Sequence, residues 1–136
     1  MILIVDDYAD TGRAVCSLLR HQGYPCEWVS GASEALAFIR GHPAEQPLLV
    51  VLDEMMPQMT GVDVLRALRA DPKTLHTTVI LYSAGFDVEK RDAAMALGAV
   101  AWLLKGGPEF EQAIKSIGHW YEKVGGVKTK IADARD

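Results

Sequence analysis

Cysteine is nearly absent from this 136-residue chain. There are 2, Cys16 and Cys26, with no CxxC spacing and no histidine cluster beside them. That excludes a disulfide scaffold and a thiolate metal site, and leaves two buried, reduced thiols as the expectation. No apolar run approaches the roughly 20 residues of a membrane-spanning helix. No basic region precedes Asp6-Asp7, so the first residues do not read as a signal peptide. An excess of positive charge is missing as well. The formal net charge of −4 offers no general attraction to nucleic acid or to an anionic membrane surface. The four histidines, His21, His42, His76 and His119, are scattered and suggest no chemistry. Internal repeats and low-complexity segments are lacking. What remains is 49% hydrophobic and 24% charged residues, the balance of one cytoplasmic globular domain with enough chain for a single core.

The stretch around which the chain is organised is Leu48–Pro57, LLVVLDEMMP. Its apolar run lacks the alternation of a half-exposed strand, so a strand buried on both faces is expected, ending at Asp53. A carboxylate there lies where ligands bind in open parallel sheets, at the carboxyl ends of the strands. The rival reading, an aspartate that caps a following helix, conflicts with Pro57 and with a helical pattern that resumes only near Gly61.

Taken in order, Ile2–Val5 reads as a buried strand that stops at Asp6-Asp7. A helix follows from Asp10 to Gln22 with Ala14, Val15, Leu18 and Leu19 on one face, closed by Gly23. Cys26–Ser30 is a second strand. Ala32, Ala35, Leu36 and Ile39 mark an amphipathic helix that Gly41 and Pro43 stop, with a loop to Pro47. After the central strand, a helix from about Val62 to Ala70 packs through Val64, Leu65 and Leu68 and breaks at Asp71-Pro72. Thr77–Ser83 is a fourth strand and Val100–Lys105 a fifth. Between them Asp87–Leu97 is an alanine-rich helix with a thin apolar face, loosely held. Phe110, Ala113, Ile114, Ile117 and Tyr121 form the face of a last helix. The polar residues beyond Gly125-Gly126 read as a frayed tail. Trp28 and Trp120 are expected as partly buried packing residues. Strands alternating with helices give an α/β fold with one parallel sheet.

In such a sheet the strand ends converge on one edge and bring together Asp6-Asp7, Asp53, Ser83 and Lys105. Three carboxylates in a half-dry cleft repel one another and stay ionised only when a cation joins them. Oxygen donors with room for water and a phosphate oxygen suit Mg²⁺. A lysine and a hydroxyl opposite suit a phosphoryl group, and the set describes phosphoryl transfer to an aspartate. Taken singly, each feature has a plainer reading: Asp6-Asp7 as a turn and helix cap, Ser83 as a satisfied strand end, Lys105 as a solvated lysine, and the methionines as packing and loop residues. Their placement at four strand ends favours a site.

Asp6-Asp7, the D-x-x-M-P-x-M-x-G string from Asp53 through Met56, Pro57 and Met59 to Gly61, Ser83-Ala84 and Lys105 together resemble the receiver domain of two-component response regulators over roughly residues 1–121, with 122–136 as a flexible tail. The resemblance implies a flavodoxin-like (βα)5 three-layer sandwich with strand order 2-1-3-4-5. It implies Asp53 as phosphoacceptor, supplied by a sensor histidine kinase or a histidine phosphotransfer protein. Asp7, Asp53 and the backbone carbonyl of Met55 would hold Mg²⁺, with Asp6 acting through water. Ser83 and Lys105 would bind the phosphoryl group. The protein would be a stand-alone switch that acts on an unknown protein target, not an enzyme beyond its own phosphorylation and dephosphorylation. A phosphate shuttle or sink, or a degenerate receiver that binds without phosphorylation, are the alternatives. An aspartyl-phosphate phosphatase and an FMN binder lack their motifs here.

Four positions depart from the family's habit. Trp102 stands where Tyr or Phe is usual, and either takes part in switching or makes a fixed hydrophobic contact between the fourth and fifth helices. Gly106 replaces the proline whose preceding bond is usually cis, a bond that costs about 3 kcal/mol before another residue. Glu54 follows the acceptor where an apolar residue is common, and either faces solvent or sits beside the metal. Ser83 replaces the commoner threonine.

Overall fold

The structure is a computed structural model that describes residues 1–42 and 49–129. The expected loop before Pro47 and the first residue of the central stretch, Leu48, lie outside the described residues. Along the chain run β1 (Ile2–Val5), α1 (Ala9–His21), β2 (Cys26–Val29), α2 (Ala32–Arg40), β3 (Leu49–Asp53), α3 (Gly61–Ala70), β4 (Thr78–Ser83), α4 (Val88–Ala96), β5 (Ala101–Leu104), a short 3₁₀ turn (Gly107–Glu109) and α5 (Phe110–Lys123). The strands form one parallel sheet in the order β2-β1-β3-β4-β5. Ends expected at Ser30, Thr77, Val100 and Lys105 move inward by a residue. Tertiary pairing, not propensity, decides where a ladder stops.

The unbroken apolar character of the inner strands has a simple cause: both faces of the sheet are covered. Leu3, Val5, Val50, Leu52, Val79 and Leu81 turn to one side, against Ala35 and Ile39 of α2 and Val64, Leu65 and Leu68 of α3. Ile2, Ile4, Leu49, Val51, Ile80 and Tyr82 turn to the other, against Val15, Cys16 and Leu19 of α1 and Ala113, Ile114, Ile117 and Tyr121 of α5. Each strand alternates by two, yet neither set meets water. Cys16 and Cys26 are free and buried. Trp28 and Trp120 are partly buried.

Helix α4 buries only Ala94, as its alanine-rich face suggests. Its first turn is capped by Asp87, whose Oδ1 accepts the Lys90 N–H at 3.1 Å. Its far end is held by Arg69 of α3, whose Nε donates to the Leu97 carbonyl at 2.7 Å.

The segment after residue 121, expected as a tail, makes contacts with the domain as far as residue 129. Helix α5 continues to Lys123, and the Tyr24 hydroxyl donates to Glu122 Oε2 at 2.7 Å. The Thr129 N–H then donates to the Gly23 carbonyl at 2.7 Å, and Lys128 lies over the Tyr24 ring. Partners supplied by the α1–β2 turn, far away in sequence, hold this polar segment. Residues 130–136 lie outside the described residues.

Candidate functional site

Parallel register aligns the strand ends: Val5 pairs with Leu52, Asp53 with Tyr82, and Ser83 with Leu104. The residue following each of these ends therefore emerges at the same edge. Asp6 and Asp53 are almost fully buried there, whereas Asp7 is exposed. Asp6, Asp7 and Asp53 each place one carboxylate oxygen within 4.8 Å of the others.

Lys105, just past β5, closes the cluster. Its Nζ lies 3.1 Å from Asp6 Oδ2 and 3.1 Å from Asp53 Oδ1. The Lys105 N–H donates to the Ser83 carbonyl at 2.8 Å, which fixes the lysine at the edge of the sheet. Asp6 Oδ1 accepts the Tyr8 N–H at 2.9 Å, and Asp53 Oδ1 accepts the Met55 N–H at 3.2 Å. Burial pushes the Asp53 carboxyl up to about 7, against the pull of Lys105 and with a further push from the Asp6 charge. A carboxylate so desolvated needs more positive charge than one lysine supplies. The donor set, all hard oxygen, fits a small divalent cation in the place the three carboxylates surround.

Ser83 is buried at the end of β4, and its Oγ accepts the Gly85 N–H at 3.3 Å. The carbonyl of the same Gly85 accepts the indole N–H of Trp102 at 3.4 Å. One residue of the β4–α4 loop thus connects the hydroxyl at the site to the ring on β5. Trp102 is half-buried against the core face formed by α2 and α3. Its polar contact is with this loop, an arrangement that neither sequence reading of the ring included. Gly106 sits at φ 81° and Gly107 at φ 59°, where proline's ring cannot go.

Glu54 follows neither of the two paths open to it from sequence. It is buried, its Oε1 accepts the Val62 N–H at 3.1 Å, and its Oε2 lies 3.5 Å from Lys90 Nζ. Burial raises its carboxyl above the usual range, opposed by the Val62 N–H and Lys90. The loop it closes turns tightly at Gly61, where a Cβ would come within 2.7 Å of the Asp53 carbonyl and 2.8 Å of Leu81 Cδ1. This close approach explains the glycine of the D-x-x-M-P-x-M-x-G string. The α3 start is secured by a capping box between Thr60 and Asp63.

Two neighbours of the site escaped the sequence. The Trp28 indole donates to the Asp6 carbonyl at 2.9 Å across β2 and β1. Gly12 makes room for it, since a Cβ there would meet the indole. A glycine inside a helical pattern was the available signal. Tyr82 lies under Lys105, with Nζ 5.4 Å from its ring centre, and its buried hydroxyl makes no hydrogen bond among the described residues.

Residues 2–115 match the sequence model of the family described as response regulator receiver domain. The chain is 35% identical over 104 residues to the probable transcriptional regulatory protein TcrX of Mycobacterium tuberculosis, covering 76% of this chain and 42% of that protein. It is 34% identical over 118 residues to the probable transcriptional regulator ycf27 of Porphyridium aerugineum, covering 85% and 47%. The chain thus spans less than half the length of these curated relatives. Among solved structures, a response regulator receiver protein from Pseudomonas putida superposes with TM-score 0.77 at 28% identity, covering 88% of this chain and 94% of that one. The chemotaxis protein CheY4 of Vibrio cholerae gives 0.76 at 27%, covering 87% and 95%.

Proposed function

The chain belongs to the response regulator receiver domain family, and from that premise we propose that Asp53 accepts a phosphoryl group from a phosphohistidine of a partner kinase or phosphotransfer protein. The observation that carries this reading is Lys105, placed 3.1 Å from both buried aspartates across three strands of the sheet. A surface lysine has no reason to be gathered there.

Asp53 Oδ attacks phosphorus as the bond from phosphorus to the donor's imidazole nitrogen breaks, and the proton on the departing imidazole makes it a neutral leaving group. Asp7, Asp53 and the Met55 carbonyl would hold Mg²⁺, with Asp6 acting through water. When bound, the ion neutralises charge on the phosphoryl oxygens. Lys105 then exchanges its contact with Asp53 for one with a phosphoryl oxygen while keeping Asp6. Ser83 turns its hydroxyl from the Gly85 N–H to the phosphoryl group. With that contact released, the Gly85 peptide is free to move and the Trp102 indole loses its fixed acceptor. The ring and the thinly packed α4 then adopt a second arrangement that a target protein reads.

Residues 1–121 form the receiver unit in this reading, with the remaining residues as a tail, and the protein acts in the cytoplasm. Among the described residues no helix is long and apolar enough to cross a membrane. The chain's chemistry is confined to its own acyl phosphate, formed and hydrolysed at Asp53.

Incubation with acetyl phosphate is expected to add the mass of one phosphoryl group with Mg²⁺ and none with EDTA. No adduct under either condition would favour a receiver that binds without phosphorylation. The Trp102 step has its own test. Because Trp28 is bonded to Asp6, the three tryptophans are best resolved without replacement, by fluorine NMR of protein labelled with 5-fluorotryptophan. Mg²⁺ with beryllofluoride is expected to shift the Trp102 resonance, and a Trp102 signal that stays in place would remove the ring from the switch.

A further inference from the structure

Among the described residues, Glu54 is a buried carboxylate to which the proposed reaction gives no task. It lies between the acceptor Asp53 and Met55, and three bonds fix it. Its N–H donates to the Tyr82 carbonyl at 3.1 Å, its carbonyl accepts the Gly61 N–H at 3.1 Å, and its Oε1 accepts the Val62 N–H. Its Oε2 makes no hydrogen bond among the described residues, and it faces Lys90 Nζ at 3.5 Å. Lys90 belongs to the first turn of α4, and its Nζ also lies 3.9 Å from Met55 Sδ.

This contact matters because α4 has so little else. The helix buries one residue, Ala94, and Arg69 holds only its C-terminal end. At the N-terminal end the cap comes from Asp87, part of the α4 segment itself, and the Phe86 ring meets Arg91 of the same helix. Neither of these ties α4 to the body of the domain. Among the described residues, the ion pair that joins that end to the acceptor loop is Lys90–Glu54, with one charge buried and therefore weakly screened.

We propose that the Glu54–Lys90 ion pair is a latch that holds the N-terminal end of α4 against the acceptor loop in the unphosphorylated protein. The latch deepens the proposed function, on which its regulatory meaning rests. It makes α4 sensitive to the loop that begins at Asp53, and switching must move or break it.

Glu54→Gln keeps an acceptor for the Val62 N–H and removes the charge, while Lys90→Met keeps the stem and removes the ammonium. Hydrogen exchange of backbone amides 91–96, read on protein without any phosphodonor, is expected to speed up by about three- to tenfold in each variant. Lys90→Arg is expected to keep the wild-type rate. The double variant should exchange no faster than either single one, since both remove the same contact. Unchanged exchange in both single variants, or factors that multiply in the double variant, would overturn the latch. Labelling by acetyl phosphate is expected to accelerate in the same two variants. Should the wild type take no phosphoryl group, the proposed function fails, while the exchange comparison still decides whether the latch exists.

Discussion

Replacing Lys105 with methionine is expected to lower the stability of the metal-free protein by about 2–4 kcal/mol and to slow labelling by acetyl phosphate about a hundredfold. The stability loss follows from what the lysine leaves behind. Asp6 and Asp53 are both almost fully buried, and the Lys105 ammonium is bonded to each at 3.1 Å. Without it two carboxylates share a dry pocket, and Asp53 must take up a proton to relieve the repulsion. That proton uptake is why the expected loss falls below the upper range for breaking a buried pair. The rate loss has a separate origin, the missing charge on the transferred group. Urea unfolding in EDTA measures the first effect, and initial labelling rates measure the second. Saturating Mg²⁺ is expected to recover much of the stability and little of the rate. A variant as stable as the wild type in EDTA would mean that Lys105 does not hold the aspartates.

Asp53→Asn is expected to do the opposite to stability. Burial raises the Asp53 carboxyl to about 7, so the folded state binds a proton more tightly than the unfolded chain, whose aspartate titrates near 4. The stability Asp53 contributes is complete below about 4 and is lost as the pH rises through about 7. Asparagine keeps an acceptor for the Met55 N–H and carries no charge at any pH. In EDTA the variant is therefore expected to exceed the wild type by about 2–4 kcal/mol at pH 8, with the gap closing as the pH falls toward 4. Mg²⁺ is expected to raise the melting temperature of the wild type more than that of the variant, because binding to the folded state alone stabilises it. A gap that does not depend on pH would show that the carboxyl is not destabilised by burial.

Most of the frame was legible from residues 2–121, for physical reasons. Strands buried on both faces must be continuously apolar, so LLVVL announced a central strand, and the polar residues after four such runs had to meet at one edge. What escaped the sequence were the contacts that depend on which side chains a fold brings together. Nothing local to Glu54 announces that its carboxylate turns toward Val62 and Lys90, because the second partner is on α4. Lys128 and Thr129 read as polar and patternless, and only the folded α1–β2 turn supplies their partners. The Gly85 peptide, placed between Ser83 and Trp102, is equally invisible in a single loop glycine. At Gly12 and Gly61 the sequence shows a glycine and no more, because the Trp28 indole and the Asp53 carbonyl that crowd them are brought there by the fold.

The central claim is that Asp53 is the residue that becomes phosphorylated. The direct measurement is to label the protein with acetyl phosphate and Mg²⁺, reduce the acyl phosphate with borohydride, and locate the modified residue by peptide mass spectrometry. Borohydride converts a phosphorylated aspartate to homoserine, so the account predicts homoserine at position 53 and no incorporation in Asp53→Asn. Homoserine at position 6 or 7 with position 53 untouched, or full labelling of Asp53→Asn, would contradict it.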